Sequence, residues 1–340
     1  MVSSVWIPEI EGNITKVGSD YDGFVQWLYP YTERVTKLNP IQPPPMHSVK
    51  RILVFMDGRC EKRQLFTVQH TYYLLDSLRP QSEKTWGVFI IHTPQCEHFW
   101  IENLKVYPQG SGHHIRLFQL SEIVRNTANY LPVSSVFLSD ILPSNVQEYL
   151  YVQADGTMLR SPYLPSMIDG YTNGTLFEEL LSKYPILGAP LPEFQARHMG
   201  QNFMPIFKFL TNGGMTFRKR SVMMDLISKI KCDSNGKQQD HCYRTDLFLT
   251  HDHSYSSEDW FIALQISQRE YYRRQFPSQI MLAQFAIEHG DPLFLPQAQS
   301  DTQYNFQNRT LPFFLHQLWG KRKYWMPLLA QVGQYYYHVM

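Results

Sequence analysis

Through its first third the chain alternates short apolar runs with segments of helical spacing, and few folds accept that rhythm. Val49-Lys50-Arg51-Ile52-Leu53-Val54-Phe55-Met56 reads as a largely buried strand, stopped by Asp57-Gly58. From Gln64 to Leu78 the residues Leu65, Val68, Tyr72, Leu75 and Leu78 recur near helical spacing. Trp86 to Ile91 is a second apolar run, bounded by His92-Thr93-Pro94. His114 to Leu120 gives a third strand, after which Ser121 caps a short helix. Strand, helix, strand, helix predicts parallel βαβ units and a sheet covered by helices on both faces. Ligands of open α/β sheets bind along the C-terminal edge of the strands, which is where Asp57 falls.

A later strand carries a second acid to that edge. Tyr149-Leu150-Tyr151-Val152 is apolar and runs into Gln153-Ala154-Asp155-Gly156-Thr157. A buried strand that delivers one carboxylate at its tip is how nucleotide-binding α/β enzymes present a metal ligand to a diphosphate. Strand-Asp-Gly is also how ordinary turns begin. Either way, Asp57 and Asp155 are expected to face one crevice.

Composition removes several function classes. Lys+Arg 31 against Asp+Glu 30 leaves a formal charge of +1, so no nucleic-acid footprint or polybasic membrane surface is present. An anionic ligand must therefore be held by a local site. No run approaches the ~18 apolar residues of a membrane span. Met1 to Asp20 shows no basic segment followed by an apolar core. The expected compartment is thus the cytoplasm, with the Golgi lumen as the alternative should an anchor lie outside this chain. Cys60, Cys96, Cys232 and Cys242 form no CxxC pair and no disulfide framework. The sequons at Asn13, Asn173 and Asn308 arise easily by chance and do not establish secretion. The Pro-rich piece from Asn39 to Pro45 sets off an N-terminal extension, residues 1–45, from a main body over 46–325 and a tail over 326–340.

Four further motifs follow in order. They are Ile186-Leu187-Gly188-Ala189-Pro190; Thr211-Asn212-Gly213-Gly214 with Arg218-Lys219-Arg220; Ser257-Glu258-Asp259-Trp260-Phe261; and Leu311-Pro312-Phe313-Phe314-Leu315-His316-Gln317-Leu318-Trp319. Together with Gln153-Ala154-Asp155 this series resembles the DUF5672-type glycosyltransferase-like family of the GT-A superfamily, over roughly Val49 to Trp319. The resemblance implies a GT-A-like nucleotide-diphospho-sugar transferase fold, α/β, with a mixed, mostly parallel central sheet and helices on both faces. It implies a glycosyltransferase (hexosyl- or pentosyl-) moving a sugar from a UDP- or GDP-linked donor to a glycan hydroxyl, with Mn²⁺ or Mg²⁺ and inversion. The departure is Gln153, which stands where this enzyme class usually has the first Asp of Asp-x-Asp.

On that resemblance Asp155 and His316 bind the metal. Asp57, Arg59, Gln153, Asp155, Asn212, Gly213 and Gly214 contact the donor, and Asp259 is the base with Glu258 orienting the acceptor. Each has a plainer alternative. His316 could simply pack among Phe313, Phe314 and Trp319. Asn212-Gly213 is a strong hairpin-turn signal, and Arg218-Lys219-Arg220 could be a solvated helix start. Ser256 or Ser257 could cap a helix whose first turn favours both acids and lowers their pKa. Two rival functions remain open: a sugar- or nucleotide-binding protein without turnover, permitted by Gln153, and a metal-dependent hydrolase. The hydrolase would use the Cys232, His241, Cys242, His251, Asp252, His253 cluster, whose spacing matches no zinc-finger pattern.

Overall fold

A computed structural model describes residues 29–30, 32–33, 41–77, 79–104, 115–121, 131–163, 174–190, 206, 208–228, 258–288 and 312–316. The predicted strands form as β1 (Arg51–Met56), β2 (Trp86–His92), β3 (Ile115–Gln119) and β4 (Glu148–Val152). Further along come β5 (Gly156–Met158), β6 (Ile186–Pro190), β7 (Thr211–Lys219), β8 (Ala286–Glu288) and β9 (Phe314–His316). The main sheet has the order β3-β2-β1-β4-β7-β6. Strands β1 to β4 are mutually parallel where they pair, and β7 runs antiparallel to both β4 and β6. This is the mixed, mostly parallel α/β sheet expected from the sequence. A smaller sheet, β5-β9-β8, pairs β9 antiparallel to β5 and parallel to β8.

Side-chain alternation in β1 divides the core. Leu53 and Phe55 join Val88, Ile90, Leu150 and Val152 on one face. Ile52, Val54 and Met56 join Phe89, Ile91, Tyr149 and Tyr151 on the other. Helices α1 (Lys62–Tyr72) and α3 (Gly174–Lys183) cover the first face through Leu65, Val68, Phe177 and Leu181. On the second, α4 (Arg220–Ser228) and α5 (Glu258–Ser267) contribute Met223, Leu226, Phe261 and Ile266. Helix α2 (Glu97–Leu104) packs Trp100 into the first core, edge-on to Phe55 at 5.7 Å. Two short helices, α6 (Glu270–Gln275) and α7 (Gln279–Phe285), complete the described set. Each large apolar side chain fully buried this way contributes about 1.5–3 kcal/mol. Tyr29 and Ile41, from the predicted N-terminal extension, are buried in the first core as well. The helix predicted after Ser121 lies outside the described residues. Among the described residues, no helix is long and apolar enough to cross a membrane.

One sequence reading is corrected here. Cys60 and Cys96 form a disulfide across a separation of 36 residues. Their spacing carries no signal, but the βαβ unit does: Cys60 follows β1, Cys96 follows β2, and Met56 pairs with Ile91 where the two strands end. Cys232 and Cys242 lie outside the described residues.

Helix α1 is buried all along Gln64 to Tyr72, polar residues included. His70 stacks on Phe66 with ring centroids 5.0 Å apart and its Nε2 donates to the Met158 carbonyl at 2.8 Å, tying α1 to β5. Burial pushes the imidazole down to about 4, against the opposing pull of that carbonyl.

Two stability predictions follow from these ties. Reduction, or a Cys60→Ser/Cys96→Ser variant, should lower unfolding free energy by roughly 4 kcal/mol on a loop-entropy basis, read from guanidinium midpoints. Because His70 is depressed in the fold, the unfolded chain binds its proton first as pH falls. Its contribution is therefore intact above pH ~6.5 and is lost between ~6.5 and ~4, by on the order of 3 kcal/mol in total. A His70→Gln variant should show a flatter dependence of the denaturation midpoint across that window than the parent.

Candidate functional site

The loop after β4 is fixed before it reaches Asp155. The Gly156 N–H donates to the Gln153 carbonyl at 3.0 Å, closing a turn, and the Gln153 N–H donates to the Gly214 carbonyl of β7 at 2.8 Å. From the other side α1 reaches the same turn: Arg63 Nε and Thr67 Oγ1 donate to the Ala154 carbonyl at 3.3 and 3.2 Å. Neither buttress was evident from sequence, because both act through a backbone oxygen.

Asp155 and His316, 161 residues apart in the chain, meet at 3.1 Å between Oδ1 and Nε2. Sheet register brings this about, since Gly156 pairs with His316 in the β5–β9 ladder. His316 is buried at 1% exposure. Burial works to raise the Asp155 carboxyl, but the His316 hydrogen bond and charge, its own backbone N–H and Arg63 outweigh it. The carboxyl is held below its ordinary value.

Asn212-Gly213-Gly214 is not a hairpin turn; it lies inside β7. Asn212 Oδ1 accepts from the Gly214 N–H at 2.8 Å, so that oxygen serves the local backbone. The pairing of β7 with β6 shifts register between Leu187 and Ala189, opposite this irregular stretch. The glycines are required by close approach. A Cβ on Gly213 would lie 2.5 Å from Asp259 Oδ1 and overlap Glu258 Oε1, while a Cβ on Gly214 would overlap the His316 imidazole. Gly213 and Gly214 are adjacent, so the Glu258/Asp259 pair and the His316 of the Asp155/His316 pair approach neighbouring residues of one strand.

The acidic pair begins α5, in its first turn; Ser256 and Ser257 lie outside the described residues. Arg218 is no part of a solvated helix start. It sits in β7 at 0% exposure, with Nη1 donating to Glu258 Oε2 at 3.2 Å and Nη2 3.1 Å from Oε1. The helix-start expectation of a lowered pKa is also overturned for Glu258. Burial raises its carboxyl, with the charge and hydrogen bond of Arg218 opposing. A signal for this partner existed: an arginine inside the apolar run Met215-Thr216-Phe217 must find a counter-charge if that run is a buried strand.

Asp57 and Arg59 lie at the same sheet edge, since β1 is parallel to β4 with Phe55 opposite Val152. Arg59 clasps Asp57, with Nη2 2.7 Å from Oδ2 and Nε 3.0 Å from Oδ1, and Gln64 Nε2 adds a contact at 3.3 Å. Arg59 is raised above its ordinary value, first by the Asp57 hydrogen bond; burial opposes, and the charges of Asp57, Glu61 and Asp155 add. The guanidinium thus feels both strand-edge acids.

Among the described residues, no group of three or more His, Cys, Asp or Glu side chains converges to hold a metal ion. The Cys232, His241, Cys242, His251, Asp252 and His253 cluster lies outside those residues.

No curated protein matches the chain. Among solved structures, the apo form of glycosyltransferase GlyE from Streptococcus pneumoniae TIGR4 is similar at 14% identity and a TM-score of 0.41. That match covers 86% of this chain, which spans only 64% of the length of GlyE. The galactosyltransferase LgtC, in complex with donor and acceptor sugar analogs, matches at 12% identity and a TM-score of 0.43, covering 83% of this chain and 95% of its own. The mannosyltransferase PcManGT from Pyrobaculum calidifontis, in complex with GDP-Man and Mn²⁺, matches at 12% identity and a TM-score of 0.36, over 96% of this chain and 85% of its own. A family model described as a protein of unknown function, DUF5672, matches residues 121–316, from Ser121 through the site histidine, and the chain belongs to that family.

Proposed function

We propose that this chain transfers a sugar, hexosyl or pentosyl, from a UDP- or GDP-linked donor to a hydroxyl of a glycan acceptor, by direct displacement with inversion. The observation that carries this reading is the meeting of Asp155 and His316 beside Gly214, with Glu258 and Asp259 against the preceding residue.

The Asp155–His316 pair fits a divalent cation. Asp155 Oδ1 and His316 Nε2, 3.1 Å apart, would hold the ion with an anionic oxygen and an imidazole nitrogen. Two protein ligands suffice where a diphosphate and water supply the others, and an imidazole favours Mn²⁺ over Mg²⁺. The ion, when bound, offsets negative charge on the departing diphosphate, more so in the transition state than in the ground state. Gln153 adds no charge to this set; its amide is suited to holding a water or the ribose.

The two acids of α5 divide their roles by environment. Glu258 is engaged on both oxygens by Arg218, which suits it to orient the acceptor. Asp259 serves as base. The acceptor oxygen attacks the anomeric carbon, its proton passes to the Asp259 carboxylate, and the sugar–phosphate bonding pair leaves on the diphosphate oxygen. Asp57 and Arg59 are placed for the nucleobase and ribose, and Asn212 to Gly214 line the sugar.

The second reading, a nucleotide- or sugar-binding protein without turnover, is favoured by Gln153, an amide where the first Asp of Asp-x-Asp is usual. Calorimetry with UDP- and GDP-sugars, with and without Mn²⁺, followed by a donor-hydrolysis assay, separates the two: binding with slow hydrolysis supports the transferase, binding alone the second reading. The Cys60–Cys96 disulfide supports an oxidising compartment, and so the Golgi lumen over the cytoplasm.

Asp155→Ala should abolish Mn²⁺-dependent donor binding and lower turnover by about 10²-fold or more; full retained activity would remove the metal role from this residue. Gly214→Ala should have the same signature without deleting a functional group, because the new methyl displaces the His316 imidazole. Wild-type Mn²⁺ affinity in that variant would show that His316 is no ligand.

A further inference from the structure

The transfer reading uses Arg218 only as the partner of Glu258, with no consequence drawn for Asp259. Arg218 projects from β7 and is wholly buried, and both of its terminal nitrogens lie at 3.1–3.2 Å from the Glu258 carboxylate. Its guanidinium carbon lies 5.6 Å from the Tyr151 ring centroid, so β4 supplies one wall of its seat. On the far side, Glu258 Oε1 and Asp259 Oδ1 both press on Gly213, five residues earlier on the same strand as Arg218. One end of β7 thus grips the start of α5, and the other receives the carboxylates of that helix.

We infer that Arg218 is a positioning residue for the site: by locking the Glu258 carboxylate at the sheet, it fixes the first turn of α5 so that Asp259 is held against Gly213. This deepens the transferase reading and rests on it for its kinetic consequence. The physical case is one of alternatives. A carboxylate nearly free of solvent stays in place only if its charge is met. At this position the cation is a rigid fork, with one hydrogen bond from Nη1 to Oε2 and a close ion-pair contact of Nη2 with Oε1, which specifies direction as well as charge. Lysine would meet the charge through a single point on a flexible stem, leaving the carboxylate free to pivot and the neighbouring residue with it. The helix N-terminus would still attract both acids, but without choosing the orientation of either. The step served is the proton transfer from the acceptor hydroxyl to Asp259, in which a base misplaced by about 1 Å costs on the order of 10² in rate.

The test uses the full chain with Arg218→Lys and Arg218→Met, each checked by thermal melting. Arg218→Met leaves Glu258 without its counter-ion, and its melting temperature is expected to fall by roughly 5–10 °C. Arg218→Lys is expected to melt within about 3 °C of the parent. In that folded variant, kcat with UDP- or GDP-sugar should fall by about tenfold or more while KM for the donor stays within about threefold. Because a lower folded fraction would itself lower apparent kcat at constant KM, kcat is referred to folded enzyme, counted from the melting curve at the assay temperature. Parental kcat in folded Arg218→Lys overturns the inference. If the parent turns over no nucleotide-sugar, the transferase reading fails by itself, and crystal structures of the parent and Arg218→Lys decide the positioning. Displacement of the Asp259 carboxylate from Gly213 by about 1 Å or more supports the lock, and an unmoved carboxylate overturns it.

Discussion

The site depends on two side chains that the backbone lacks. At Gly213 and Gly214 the β7 main chain comes so close to Glu258, Asp259 and His316 that any Cβ would collide with them. Three distant parts of the chain can therefore gather on one strand: the loop after β4, the first turn of α5 and the short strand β9. The strand is irregular there, with a register shift against β6 and an Asn212 side chain closing onto the Gly214 N–H. The backbone pays for this local departure from a regular ladder, while the remainder of β7, Met215 to Arg218, is well buried between two helical layers.

The charge pattern follows the same economy. Asp57 is clasped by Arg59, Glu258 by Arg218, and Asp155 by His316. A chain with near-zero net charge holds no anion by its global field, so any affinity for a diphosphate must come from this edge. The three pairs differ in exposure. Arg59 remains 56% exposed, whereas Arg218 shows none, so the first cation is open to a ligand and the second is structural. The Asp155 pair is intermediate, with the acid 19% exposed and the histidine 1%. An added cation would therefore approach from the Asp155 side.

What sequence could show was whatever depends on local pattern. The continuous apolar run of β1 and the helical spacing after it are enough to give the layered sheet, because burying both faces of a parallel sheet permits little else. The acid at the tip of β4 was legible because strand and turn signals are contiguous. The partner relations were not. Cys60 with Cys96, Arg218 with Glu258, and Arg63 with Ala154 each join residues through strand order, which no window of the sequence contains. The misreading of Asn212-Gly213 as a possible turn has the same origin. Asn-Gly favours a hairpin locally, but here the flanking residues are claimed by β4 and β6 on either side, and tertiary pairing overrides the turn propensity.

The reversal at Glu258 shows how depth competes with the helix dipole. A carboxyl in the first turn of α5 gains from the N-terminal partial charge, an effect of about 0.3–1 kcal/mol at exposed positions. Burial of the same group acts in the opposite direction and can amount to several kcal/mol. At 2% exposure the second effect dominates and raises the carboxyl, with the charge and hydrogen bond of Arg218 opposing it. Asp259, one residue further along the helix, is less deeply buried and remains against Gly213. The two adjacent acids are thus made unlike by depth and by the Arg218 contact. That difference, and not their order in the motif, is the physical ground of the proposal that one takes the proton and the other orients the acceptor.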